Sequence, residues 1–211
     1  MAIDDLLDEH EQSEKVRTWL QANGAGLIGG VLLGLALIGG WQWWQKQQER
    51  ALIETGERYQ TALDSIQAKN LKQAQLQVAG LPNGAYASLA SLDLAKAQLD
   101  AGQRDAAMAT LRAADPSDPA LAAISSQRLA RLLIDAGKAA EALTLLPAQS
   151  TDAEMLQVRG DAHFALGHRE EARAAYAQAL TRLDVGAPQR RLVELKLSEV
   201  GGTTAKPEAK T

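Results

Sequence analysis

A chain of 211 residues without cysteine has no disulfide, no thiolate metal site and no cysteine nucleophile. Aromatic residues make up 4% of it and alanine 40 positions, a composition that suits closely packed helices better than strands. The net charge of −4 lies in residues 1–44, where six acids meet two bases; residues 45–211 carry 20 of each sign and so offer no basic footprint for nucleic acid.

Residues 1–22 read as an acidic tail and 23–44 as a transmembrane helix. No charged residue stands between Thr18 and Gln45, and Gly24 to Gly40 contains only Gly, Ala, Leu, Ile and Val. With Trp41, Gln42, Trp43 and Trp44 the stretch reaches 21 residues. At a rise of ~1.5 Å per residue, that spans the ~30 Å hydrocarbon core of a lipid bilayer. Trp41, Trp43 and Trp44 fit a membrane-interface belt. The long acidic stretch before the window, and the bulky residues after it, argue for a retained anchor rather than a cleaved signal peptide. Lys15 and Arg17 on one side, against Lys46, Arg50 and Arg58 on the other, leave the orientation undecided by charge. Gly24-Ala25-Gly26-Leu27-Ile28-Gly29 matches the dinucleotide fingerprint, but no strand precedes it, so no pyrophosphate site is expected. Gly26, Gly30 and Gly34 fall on one helix face. They either allow close approach of another membrane helix or reflect the ordinary abundance of glycine in spans.

Residues 45–200 read as a run of helix pairs, beginning with a helix that continues from the span. Three segments align without gaps, around Gly102, Gly137 and Gly167. Each glycine ends one apolar helical stretch and precedes another, as a helix C′ residue does. Ala107, Ala142 and Ala172 follow five residues later, where the second helix crosses the first. Leu111, Leu146 and Tyr176 follow four residues after that as core contacts. A divergent pair is expected from Tyr59 to Gly80, turning near Asn70. Gln189–Val200 reads as a cap helix and residues 201–211 as a disordered tail.

The repeats resemble the tetratricopeptide family, most closely in the last unit, with Gly160, Gly167, Ala172, Tyr176 and Ala179 at its small, turn, small, aromatic and small positions. Ala95 and Ala130 replace the first glycine in the earlier units, and Leu111 and Leu146 replace the aromatic. Pro119 stands where the family closes a unit with proline. The fold class expected is all-α, a single transmembrane helix followed by a tetratricopeptide-like solenoid. The order of parts resembles the bacterial YfgM family of ancillary SecYEG translocon subunits. Ala22-Asn23-Gly24, Tyr86 to Ala95, Gln127 to Arg131 and Arg159-Gly160 carry the likeness. The resemblance implies a cytoplasmic N-tail, a periplasmic C-terminal domain and an inner-membrane location. It also implies transfer of nascent or unfolded secretory polypeptides to periplasmic chaperones, with the SecYEG translocon and a PpiD-like membrane-anchored chaperone as partners.

Chemistry is sparse. No H-E-x-x-H, G-x-S-x-G or Walker A motif occurs, and His163 and His168 flank a turn, so no catalytic group, metal or cofactor is expected. His10 lies apart in the acidic tail. Binding is what stacked helix pairs offer, on a concave surface lined by first helices. Lys96, Arg131 and Asp161, one residue past the small crossing positions, are expected to face that groove or to be ordinary solvated surface. Gln127 and Gln157, one turn earlier, are expected with them, and Arg112 and Arg173 on the opposite surface. The functional reading is a non-enzymatic interaction module at the export site. The alternative is an envelope assembly or stress-signalling scaffold gripping one defined partner.

Overall fold

The computed structural model describes residues 2–114 and 118–203, with side chains from residue 15 onward. The acidic side chains and His10 of the N-terminal tail, and residues 204–211 of the C-terminal tail, lie outside that description. Among the described residues every regular element is an α-helix. The chain divides into two compact units, Met1–Glu54 and Thr55–Thr211. Helix α1 is Ala2–Gln67. No proline interrupts it, and its seven glycines between residues 24 and 40 have nothing within 4 Å of a would-be Cβ, so no neighbour crowds it there.

The second unit is built from helix pairs. The last turns of α1 pair with α2 (Leu71–Ala79), α3 (Ala85–Asp100) with α4 (Arg104–Ala113), α5 (Pro119–Asp135) with α6 (Ala139–Thr144), and α7 (Ala153–Ala165) with α8 (Arg169–Arg182). Helix α9 (Arg190–Glu199) closes the stack. From α2 onward, contacts run between successive elements and, along the first helices, from α3 to α5 and from α5 to α7, the nearest-neighbour pattern of a solenoid.

One register generates all four pairs. A small residue on the first helix (Ala62, Ala95, Ala130, Gly160) is followed twelve residues later by an alanine on the second helix (Ala74, Ala107, Ala142, Ala172). Sixteen residues after the small residue comes the filler that packs the crossing: Val78, Leu111, Leu146 or Tyr176. The four second-helix alanines are all 0% exposed, because the helix axes approach too closely there for more than a methyl.

Seven residues past each small residue the chain turns through a left-handed conformation. Gly102, Gly137 and Gly167 hold φ of 75°, 73° and 78°, as helix C′ residues. Each turn closes with the same two backbone hydrogen bonds. In the α3–α4 turn, Gln103 N–H donates to the Gln98 carbonyl at 2.8 Å and Gly102 N–H to Leu99 at 2.9 Å. The first pair builds the same turn with Lys69 at φ 58°, Asn70 N–H donating to Ser65 at 2.9 Å. A left-handed backbone costs a side-chain-bearing residue ~1–2 kcal/mol, partly offset by the greater chain entropy glycine loses on folding. Lys69→Gly is therefore expected to stabilise the protein by about 0.5–1 kcal/mol. A denaturation midpoint that falls would show that the lysine side chain makes up the difference.

Pro119 begins α5 rather than closing the pair before it. Asp118 caps that helix, its carboxylate accepting from Ala120 N–H at 2.8 Å and Leu121 N–H at 3.0 Å, and proline is preorganised for the first helical position. Asp152 caps α7 in the same way. At the end of the stack the Arg190 guanidinium donates to the Leu180 and Leu183 carbonyls at 3.2 and 3.0 Å. It thereby satisfies the open C-terminal end of α8 and docks α9 against it.

Candidate functional site

In the first unit, α1 presents an apolar surface with nothing packed on it. It is the one described helix long and apolar enough to cross a membrane, and none of that stretch is buried within the protein. Trp41, Trp43 and Trp44 are all exposed, with the Trp41 and Trp44 rings 5.4 Å apart. Trp19, which the sequence reading passed over, is exposed at the other end, 22 residues before Trp41. At helical rise that separates the two tryptophan levels by ~33 Å, matching a hydrocarbon core with an aromatic belt at each face. Gly26 and Gly30 lie along a shallow depression with Trp19, Asn23, Leu27 and Val31.

In the second unit, Lys96 of α3 and Arg131 of α5 both line a cavity of about 350 Å³ between those first helices. Its floor is apolar: Ala95, Leu111 and Leu132 are buried, and Leu99 is partly open. Arg128 adds a third cation and Asp135 a single acid, neither anticipated from the sequence. Both fall on the α5 face that carries Arg131, three and four residues to either side, so the helical period was the available signal. Arg131 approaches Glu154 of α7 at 3.8 Å, with both side chains about half exposed. A pair so open is worth little and yields readily to another anion.

The other three residues expected in the groove do different work. Gln127 and Gln157 are buried, at 5% and 7% exposure. In α5 the position one turn before the small residue faces the next first helix rather than solvent. There Gln127 donates to the Asp152 carboxylate at 2.8 Å, tying α5 to the cap of α7. Asp161 turns toward the end of the stack, where it accepts from the Tyr176 hydroxyl at 2.7 Å and has Lys196 Nζ 2.7 Å from each oxygen. Arg112 and Arg173 are not plain surface either: Arg112 pairs with Glu141 at 2.6 Å, and Arg173 with Glu170.

The His163 and His168 rings lie 6.0 Å apart, and among the described residues no cluster of three or more His, Asp or Glu could hold a metal ion. Burial, with Arg159 adding to it, pushes the His163 imidazole below its ordinary pKa, which favours the neutral form.

A family model described as a tetratricopeptide repeat-like domain matches residues 17–202. The chain belongs to that family. As a member of the tetratricopeptide repeat-like family it has curated homologues named "Ancillary SecYEG translocon subunit". The Escherichia coli K12 relative is 28% identical over 201 residues, 92% of this chain and 97% of its own length. The Haemophilus influenzae Rd relative is 29% identical over 111 residues, 51% of this chain and 54% of the relative. The likeness to ancillary translocon subunits seen in the sequence is thus matched by homologues bearing that name, and the family model takes in the apolar stretch of α1 as well as the helix pairs.

Proposed function

We propose that this protein is a non-catalytic, single-span component of the bacterial inner membrane that associates with the SecYEG translocon and helps pass translocated polypeptides to periplasmic chaperones. The observation that carries the reading is the match to the Escherichia coli ancillary translocon subunit over 92% of this chain, long enough to include span and repeats alike. The architecture supports it physically. A helix tether raises the effective concentration of a weak, adaptable binding surface where clients emerge, so that high affinity is not needed. Balanced charge over residues 45–211 and an open, apolar-floored groove suit transient contact with many segments better than one dedicated pocket. In this reading the N-tail is cytoplasmic, the repeat domain periplasmic, and a PpiD-like membrane-anchored chaperone receives the clients.

The test is affinity isolation of the full-length protein from detergent-solubilised membranes, combined with protease treatment of spheroplasts. SecYEG subunits co-purifying, and a repeat domain cleaved from outside the inner membrane, are the expected results. A domain protected until the membrane is lysed would overturn the orientation. Recovery of one envelope protein without SecYEG would favour a dedicated scaffold instead.

A further inference from the structure

The cavity between α3 and α5 has a composition that selects for a particular kind of segment. Three cations, Lys96, Arg128 and Arg131, stand around its mouth against one acid, Asp135. Leu99, 40% exposed, and buried Leu132 supply apolar surface below them. The imbalance is local, because residues 45–211 as a whole are neutral. Arg128 and Arg131, three residues apart on α5, line the same cavity as Lys96 of α3, so the three charges border one opening. Outside the lining, Glu154 meets Arg131 at 3.8 Å.

We propose that this cavity binds an extended polypeptide segment in which one or two aliphatic side chains are flanked by Asp or Glu. The aliphatic group enters between Leu99 and Leu132, and the flanking carboxylates meet the cations. A volume of about 350 Å³ suits side chains rather than a helix or a folded surface. Arginine offers a carboxylate two parallel N–H donors, while the stems of all three cations pack against the apolar part of the segment. A segment flanked by Lys or Arg meets like charge at the mouth and is rejected, which gives the groove a selectivity that apolar contact alone lacks. The assignment rests on the reading of the protein as a polypeptide-binding module and names the chemistry of the polypeptide.

The experiment uses the full-length protein in nanodiscs of neutral phosphatidylcholine and three fluorescein-labelled peptides, read by fluorescence anisotropy. The core sequences are Asp-Glu-Leu-Leu-Asp-Glu, Lys-Lys-Leu-Leu-Lys-Lys and Asp-Glu-Ser-Ser-Asp-Glu. The first is expected to bind about tenfold tighter than either of the others and to weaken as salt is raised. Lys96→Glu with Arg131→Glu is expected to lower its affinity about tenfold, whereas Arg104→Glu with Arg182→Glu, exposed on α4 and α8, changes it less than about twofold. If the groove variant fails to fold, Lys96→Gln alone, expected to weaken binding about threefold, carries the same comparison. Equal affinity for the acidic and basic peptides, or full affinity in the groove variant, overturns the proposal. If SecYEG still co-purifies in that case, only the cavity assignment fails. Selective peptide binding without SecYEG overturns the translocon reading and leaves the cavity assignment standing.

Discussion

Gly160→Ala is expected to lower the stability of the full-length protein by about 2–3 kcal/mol, and Tyr176→Leu to relieve part of the clash, so that the two losses do not add. A Cβ on Gly160 would stand 2.6 Å from Cδ1 and 2.9 Å from Cζ of Tyr176, and closer still to Cε1. The ring has little room to retreat: Tyr176 is 2% exposed and its hydroxyl is held by Asp161. The other pairs show the alternative solution at the same crossing, with alanine opposite leucine as Ala95 with Leu111 and Ala130 with Leu146. The single Tyr176→Leu change should also destabilise, because it opens a cavity and strips Asp161 of a donor. Combined with Gly160→Ala it recreates the Ala–Leu crossing, and the double variant should be more stable than the sum of the singles by roughly 1–2 kcal/mol. Denaturant midpoints in detergent micelles, followed by helical circular dichroism, measure this. Additive losses would mean that the two residues do not share a crossing.

The second large effect is expected at Asp161. Its carboxylate joins α7 to the Tyr176 hydroxyl on α8 and to Lys196 on the cap helix, with Asp161 and Lys196 side chains each about one quarter exposed. Asp161→Ala leaves both donors without their acceptor and should cost about 2 kcal/mol, less than a fully buried pair because water reaches both charges. Loosened docking of α9 should accompany it, seen as faster amide exchange in residues 190–199. The same contact has an alkaline signature. Burial, with the hydrogen bond and charge of Asp161 adding to it, pushes the Tyr176 phenol far above its ordinary pKa. The folded state therefore keeps that proton longer than the unfolded chain. Stability is full below about pH 10, the ordinary tyrosine value, and falls as pH rises beyond it. Tyr176→Phe should flatten the alkaline decline. An unchanged profile would assign the decline to another group.

The repeat architecture was legible because its signals are local and periodic. Gly102, Gly137 and Gly167 mark turns that need a left-handed residue, and alanines five residues on mark close crossings. The first pair was legible only in outline, since Lys69 occupies the turn position without glycine and Val78 fills where a larger residue stands elsewhere. Its register follows from Ala62 and Ala74, whose burial is a property of packing rather than of any local pattern. The groove was half legible. Counting one residue past the small position picks out Lys96 and Arg131, which line one cavity. Counting one turn back picks out Gln127 and Gln157, which are buried; Gln127 is covered because it reaches the cap of the neighbouring first helix. Asp161 obeys the same count as Lys96, yet it lies on α7, where the cap helix α9 packs onto the pair and supplies Lys196. Trp19 was missed because a lone tryptophan gains meaning only when its distance from Trp41 is set against the thickness of a bilayer.

The most direct test of the account is photocrosslinking in cells from Ile124, exposed on α5 one turn before Arg128, compared with Arg182 on α8. With a photoreactive residue at position 124, SecYEG subunits and pulse-labelled secretory chains should be trapped, and the adducts to those chains should disappear within the time of their export. Position 182 should trap few or none. Adducts of equal strength from both positions, or one dominant partner outside the translocon with no secretory chain trapped, would contradict the account.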